Sequence, residues 1–177
     1  RIDGGPDNAQ LDETNGTLRI SGSFAVSDVD MTDTVTASVA QLIVSGSSDR
    51  LDPAAPTEAE LLAMLTVSPT TILGESENSS TLTWDFSSGS QHFDYLASGE
   101  TLILTYTVQV TDDAETPLSD SELVTITITG SNDAPLIHNI NSSNDSLVNT
   151  GAIGVPVRID GGFVDVDTSD THIVTID

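Results

Sequence analysis

One block of this chain occurs twice, and the distance between the copies sets the size of what can fold. Arg19-Ile20-Ser21-Gly22-Ser23-Phe24 leads into Asp28-Val29-Asp30-Met31-Thr32-Asp33-Thr34, and Arg158-Ile159-Asp160-Gly161-Gly162-Phe163 leads into Asp165-Val166-Asp167-Thr168-Ser169-Asp170-Thr171. The two phenylalanines are 139 residues apart and the first aspartates 137, a two-residue deletion between the motifs. Solenoid repeats are roughly 20–50 residues long, so a period of this length makes each unit a domain. The 177 residues then hold one unit, residues 1–134, and the opening strands of a second, residues 135–177. By the same offset Pro135 maps to a position before Arg1, so the first unit is expected to lack its own opening strand. Roughly three strands in residues 135–177 bury too little apolar surface to close a sandwich alone. They are expected to pack on the first unit, to swap into a second molecule as a dimer, or to be part of a longer protein.

Period-two alternation dominates the first unit. In Leu102–Val110, residues Leu102, Leu104, Tyr106, Val108 and Val110 share one face while Thr105, Thr107 and Gln109 take the other, and Val124–Thr129 repeats the pattern with Val124, Ile126 and Ile128 inward. An acidic loop with Asp112, Asp113, Pro117 and Asp120 joins them as a hairpin. Further strands are predicted at Thr17–Val26, Thr34–Val44 and Ser80–Phe86, the last alternating Leu82, Trp84 and Phe86 inward. One segment differs: Pro56-Thr57-Glu58-Ala59-Glu60-Leu61-Leu62-Ala63 has a Thr-x-x-Glu capping box and predicts a short helix in a loop between sheets. Gln91–Ala97 suggests a second helical turn. Many short strands and few aromatics define an all-β, antiparallel β-sandwich.

Charge narrows the partners. Twenty-eight acidic residues face four arginines and no lysine, a formal net charge of −24. Such a surface repels phosphate, which excludes nucleic acid as a partner. Mean hydropathy is near zero, so this is a folded chain whose charge calls for bound cations rather than a disordered acidic segment. With no cysteine there is no disulfide, thiolate metal site or cysteine nucleophile. No apolar run is long enough to insert in a membrane.

The repeated motif carries the chemistry. Asp-x-Asp brings two carboxylates near one point, and a third Asp three residues on reaches it if the chain bends. All-oxygen donors suit a hard cation: Ca²⁺ takes six to eight at about 2.3–2.6 Å, Mg²⁺ demands stricter octahedral geometry, and Zn²⁺ prefers nitrogen or sulfur. Candidate calcium ligands are Asp28, Asp30 and Asp33 in the first copy and Asp165, Asp167 and Asp170 in the second. Asp112 and Asp113 in the hairpin loop, and Asn132 and Asp133 before Pro135, complete the set. The simpler alternatives are a solvated acidic turn for the aspartates and an Asx-turn at Asn132. Asn132 and Asp133 lie between the units, where a shared cation would restrict the hinge. His92, His138 and His172 fall in no nucleophile-elbow, metalloprotease or phosphate-loop pattern. His92 with Asp94 imitates an acid/base pair but reads better as a loop histidine. No catalytic residue is therefore assigned, and the chain is read as a non-enzyme.

The lead-in Phe93-Asp94-Tyr95-Leu96-Ala97-Ser98-Gly99-Glu100, the strand pair, and the exit Ile126-Thr127-Ile128-Thr129-Gly130-Ser131-Asn132-Asp133-Ala134-Pro135 resemble the VCBS repeat of large bacterial RTX-type surface adhesins. The resemblance extends to Asp28-Val29-Asp30 and so spans most of the first unit. It implies a cadherin-like, Ig-like Greek-key sandwich in tandem array, stiffened by calcium, on a secreted or cell-surface protein that serves adhesion and biofilm formation. Under it, Asn132-Asp133 resembles the inter-domain calcium motif of cadherins, and Asp165-Val166-Asp167 the acidic triplet of the following domain. The implied partners are neighbouring repeats of the same chain, with host or biofilm glycans reached through other domains. A helix-bearing insertion around Arg50–Gly74 departs from a minimal repeat. It keeps open a second function, a calcium-dependent carbohydrate- or peptide-binding module, although sandwiches that bind sugars usually present more exposed aromatics.

Overall fold

The computed structural model describes residues 1–142, 159–167 and 171–175. Its strands are β1 (Ile2–Asp3), β2 (Asp7–Asp12), β3 (Arg19–Ser27), β4 (Val35–Gly46), β5 (Leu65–Ser68), β6 (Thr71–Leu73), β7 (Ser79–Ser87), β8 (Thr101–Asp112), β9 (Ser119–Thr129), β10 (Leu136–Ser142) and β11 (Ile159–Val164). One helix, α1 (Glu58–Ala63), stands between β4 and β5. The first unit is a Greek-key sandwich of a four-stranded sheet, β1-β3-β7-β5, and a five-stranded sheet, β2-β9-β8-β4-β6. Every pairing is antiparallel except β2 with β9, which is parallel from Asp7↔Val124 to Asp12↔Thr129.

The alternating faces meet as expected. β8 contributes Leu102, Leu104, Tyr106, Val108 and Val110, and β9 contributes Val124, Ile126 and Ile128; across from them lie Phe24 and Val26 of β3 and Leu82, Trp84 and Phe86 of β7, all buried. Gly22, opposite Trp84 in the β3–β7 register, makes room for the indole, because a Cβ there would lie 2.5 Å from Trp84 Cζ2. The indole Nε1 donates to Asp7 Oδ2 at 2.9 Å, fastening β2 across the sandwich. The capping box forms as the sequence predicts: Glu60 N donates to Thr57 Oγ1 and Thr57 N to Glu60 Oε2. Tyr106 Oη, inside the core, donates to Leu61 O at 2.7 Å and so holds α1 down.

Three features bear on the expectations. First, the segment before β3 carries β1 and β2. β1 pairs with β3 at Asp3↔Ala25 just as β10 pairs with β11 at Leu136↔Val164, where Val164 is the repeat equivalent of Ala25. Second, Gln91–Ala97 is a tight turn and not helical. Phe93 holds a left-handed φ of 69° and Leu96 N donates to its carbonyl at 2.8 Å, with both side chains fully buried. Third, the segment around 50–74, expected as a short helix in a loop between sheets, carries two strands besides the helix. β5 and β6 from it edge the two sheets, and Leu61, Leu65, Ile72 and Leu73 are core residues. Runs of three or four residues next to proline and threonine are too short to show a period.

Beyond Pro135, β10 and β11 form their own two-stranded sheet. Of the roughly three strands expected in residues 135–177, any within 143–158 falls outside the described residues, as does Asp170.

Candidate metal centre

The joint between the sandwich and the β10–β11 hairpin gathers acid. Glu13 follows β2 directly and extends the parallel ladder, its N–H donating to Thr129 O at 2.8 Å. That placement buries the side chain at 3% exposure. Its Oε2 accepts from Ser131 N at 3.1 Å and from Ser131 Oγ, just past the end of β9. Gly130 lets the 94–97 turn lie against this exit, because a Cβ there would sit 2.3 Å from Leu96 O. The left-handed Phe93 is a conformation that costs a non-glycine residue about 1 kcal/mol, and it turns Asp94 to the same place. Asp133 arrives from the exit segment.

Glu13, Asp94 and Asp133 each place a carboxylate oxygen within 4.8 Å of the other two. Glu13 Oε1, Asp94 Oδ1 and Asp133 Oδ2 are buried without a hydrogen-bond partner. Three such oxygens are costly as they stand, since buried acceptors are normally satisfied. They match one hard cation well: two ligands on opposite sides of Ca²⁺ are separated by about twice a bond of 2.3–2.6 Å. The second copy of the repeated motif closes the other side. Asp133 N donates to Asp167 Oδ2 at 2.7 Å, and Asp167 N to Asp165 Oδ1 at 3.0 Å. Asp167 is fully buried. The Asp133 carboxyl is held above its ordinary range by desolvation first, then by the like charges of Glu13, Asp94, Asp167 and Asp165. Asp165 goes the other way, lowered mainly by its hydrogen bond with His172 Nε2 at 2.5 Å.

Of the residues singled out in the sequence, Asp133, Asp165 and Asp167 meet here. Asn132 lies alongside, exposed, with Nδ2 donating to Asp133 O. Glu13 and Asp94 escaped notice as ligands. Glu13 follows a strand too polar to show a period, and the sequence sets Asp94 beside His92 whereas its geometric partners are 39 and 81 positions away.

The other candidates lie at the far end of the β8–β9 hairpin. Asp28 Oδ1 accepts from Asp30 N at 3.1 Å, Thr32 Oγ1 donates to Asp33 Oδ1, and Asp113 Oδ1 accepts from Thr34 N at 2.7 Å. Asp112 Oδ1 accepts from Ala114 N and Leu118 N. Asp28, Asp30, Asp112 and Asp120 line one depression of about 410 Å³. Among the described residues, they form no group of three carboxylates as close as that at the joint.

A cleft of about 570 Å³ opens beside the joint, between Asp52-Pro53-Ala54 and the 90–95 turn, with Asp94 and Asp165 in its wall.

No family model matches the chain, and no curated protein does. Among solved structures it is similar to PapD-like domain 7 of human CEP192, at 15% identity over 73% of this chain and 83% of that one, with a TM-score of 0.42. It is also similar to AggA, the major subunit of aggregative adherence fimbriae type I of Escherichia coli, at 13% identity over 73% and 93%, with a TM-score of 0.38. A third is a putative carbohydrate binding protein from Bacteroides ovatus, at 12% identity over 81% and 42%, with a TM-score of 0.38. At such identities and scores, no ligand, partner or activity passes from them to this chain.

Proposed function

We propose that this chain is a calcium-stabilised, non-enzymatic extender of a secreted bacterial surface adhesin, a VCBS-type repeat whose joint to the next repeat is stiffened by a bound cation. The observation that carries the reading is the meeting of Glu13, Asp94 and Asp133, each with a buried, unpartnered oxygen, with Asp165-Val166-Asp167 from the second copy of the repeated motif. Glu13, Asp94, Asp133 and Asp167 would hold Ca²⁺, which supplies positive charge to a chain whose four arginines are too few to balance its 28 acidic residues. A cation shared by both units converts a short linker into a fixed angle, and that is what a tandem spacer requires.

The test is small-angle scattering and thermal melting of the full chain in calcium and in EGTA. Calcium should raise the melting midpoint and narrow the distribution of shapes. An unchanged midpoint and profile refute the reading.

The cleft beside the joint favours a second reading, a calcium-dependent ligand site. Its volume falls in the range of small-molecule sites, and its wall shares Asp94 and Asp165 with the joint. Binding on a glycan array that is lost both in EGTA and on Asp52→Ala would promote that reading over the spacer.

A further inference from the structure

The connection from β2 to β3 is tied down at both ends and exposed in the middle. Glu13 N donates to Thr129 O, and the buried Glu13 carboxylate accepts from Ser131 N. At the other end Thr17 Oγ1 donates to Gly89 O at 2.6 Å and Leu18 N to Ser88 Oγ at 3.0 Å, with Leu18 in the core. Between these anchors lies Asn15-Gly16, a bend that belongs to no strand, with the asparagine exposed. The backbone does not require a glycine here. Gly16 has no left-handed φ, and a Cβ on it would meet only Thr14 Oγ1, at 3.7 Å. At Gly46 and Gly130, by contrast, a Cβ would lie 2.1 Å and 2.3 Å from carbonyl oxygens.

What glycine does at this position is leave its own nitrogen unshielded beside a thermolabile side chain. The Gly16 nitrogen can attack Asn15 Cγ, closing a five-membered succinimide ring. The Cγ–Nδ2 bond breaks, and Nδ2 leaves as ammonia with the proton from the Gly16 amide. Water then adds to either ring carbonyl and opens the ring, giving aspartate at one carbonyl and isoaspartate at the other. Nothing is oxidised or reduced, and water is the only co-reactant. Attack needs freedom of the Asn15 backbone and of the following N–H, which a strand ladder denies. The other described asparagines are held in that way: Ala9, Ser79, Ile140 and Ser142, which follow Asn8, Asn78, Asn139 and Asn141, stand in strands. Asp133, which follows Asn132, commits its N–H to Asp167 Oδ2 at 2.7 Å.

We infer that Asn15-Gly16 is a self-modification site, at which the folded chain converts without an enzyme to an aspartyl or isoaspartyl bond and adds a carboxylate beside the acidic joint. Asn15 is two residues from Glu13, at most about 7 Å along the chain, and so within the Debye length of about 8 Å at physiological ionic strength. The product makes a chain of net charge −24 one unit more negative, and the new charge adds to the like charges of Glu13, Asp94 and Asp133. The anchors at Glu13, Thr17 and Leu18 keep the sandwich closed whichever product forms. The reaction is independent of any cation at the joint.

The experiment is incubation of the folded full chain in EGTA at mildly alkaline pH, followed by intact-mass measurement and peptide mapping, with Gly16→Val and Asn15→Asp variants alongside. The wild type should gain one dalton at residue 15, sooner than at any other described asparagine, with isoaspartate among the products and the sandwich still folded. Gly16→Val should slow the gain at least tenfold, because a β-branched side chain shields the nitrogen and stiffens the bend. It should leave the melting midpoint in place, since only Thr14 Oγ1 stands near the new Cβ. Asn15→Asp should melt below the wild type at low salt, and the difference should vanish at high salt. No gain in the folded chain under conditions where the urea-unfolded chain gains it overturns the inference, since the fold would then protect the bend. Earlier gain at another described asparagine, or an undiminished rate in Gly16→Val, overturns it too. An Asn15→Asp variant that melts with the wild type at low salt overturns the charge effect on the joint.

Discussion

Glu13→Gln separates a cation site from a merely structural acid, because the two predict opposite signs without calcium. Glutamine is nearly isosteric, and its side-chain oxygen can still accept from Ser131 N and Oγ as Glu13 Oε2 does. What changes is one negative charge within 4.8 Å of two others. At an effective dielectric of about 20, two unit charges at that separation repel by about 3.5 kcal/mol, and solvent screening at the half-exposed Asp94 and Asp133 reduces this to roughly 1–2 kcal/mol. In EGTA the variant should therefore melt above the wild type, by about 3–8 °C for a domain of this size.

In calcium the order inverts. At free calcium 100-fold above Kd, a site present only in the native state adds about 2.7 kcal/mol, or about 10 °C. If losing a carboxylate ligand weakens affinity about 100-fold, nearly all of that gain disappears at the same calcium concentration. The measurement is four calorimetric scans, wild type and Glu13→Gln in calcium and in EGTA, with Ser131→Ala as the control. That control removes the Ser131 Oγ hydrogen bond to Glu13, keeps the one from the Ser131 amide, leaves the charge untouched and should lower both midpoints alike. A Glu13→Gln variant destabilised equally in both conditions refutes the reasoning. So does a wild type indifferent to calcium.

Other consequences follow from single contacts. Tyr106→Phe leaves Leu61 O without its buried donor and should cost about 1–2 kcal/mol in urea denaturation; burial also pushes the Tyr106 phenol well above its ordinary range, so the wild-type ring should resist ionisation in alkaline absorbance titration until the fold opens. Gly22→Ala drives a methyl into the Trp84 ring and should cost about 1–3 kcal/mol, with altered tryptophan fluorescence, whereas Gly161→Ala should change neither. Asp120 is held below its ordinary range first by the Ile2 N–H, with the N-terminal amine assisting. Its contribution is therefore fully present above the unfolded pKa near 3.8 and lost as pH falls through the lower folded value, and Asp120→Asn should flatten that part of the acid limb of stability in the 177-residue chain.

Legibility followed burial. β8, β9, β3 and β7 were readable because each has a core face and an opposite face, so apolar residues alternate through their inner runs. β2 was not readable: it is an edge strand, its inward residues are Asp7, Ala9 and Leu11, and its partner lies over a hundred residues away. Once β2 is missed, Glu13 cannot be placed, and the joint loses a buried ligand candidate. Asp94 was hidden for another reason. Its direction comes from the left-handed Phe93 and from the contact of the 94–97 turn with Gly130, neither of which leaves a local pattern. The capping box, by contrast, is encoded within four residues and formed as read.

The two copies of Asp-Val-Asp show what the repeated motif does and what it leaves to its surroundings. Locally they are the same device, an Asx-turn in which the third residue's amide binds the first carboxylate, at 3.1 Å for Asp30 on Asp28 and 3.0 Å for Asp167 on Asp165. The turn alone presents carboxylates without enclosing a cation. In the second copy, Asp167 also receives the amide of Asp133, whose carboxylate meets Glu13 and Asp94, all supplied by the sandwich and its exit segment. In the first copy the neighbours are Arg1, Asp112 and Asp120, and the nearby Asp113 carboxylate is taken up by Thr34 N. Calcium affinity should accordingly reside at the joint: calcium titration monitored by amide shifts should perturb residues 13, 94, 133 and 165–167 at lower concentration than residues 28–33. Simultaneous saturation of both copies would mean that the turn by itself suffices, and the enclosing role given to Glu13, Asp94 and Asp133 would fall.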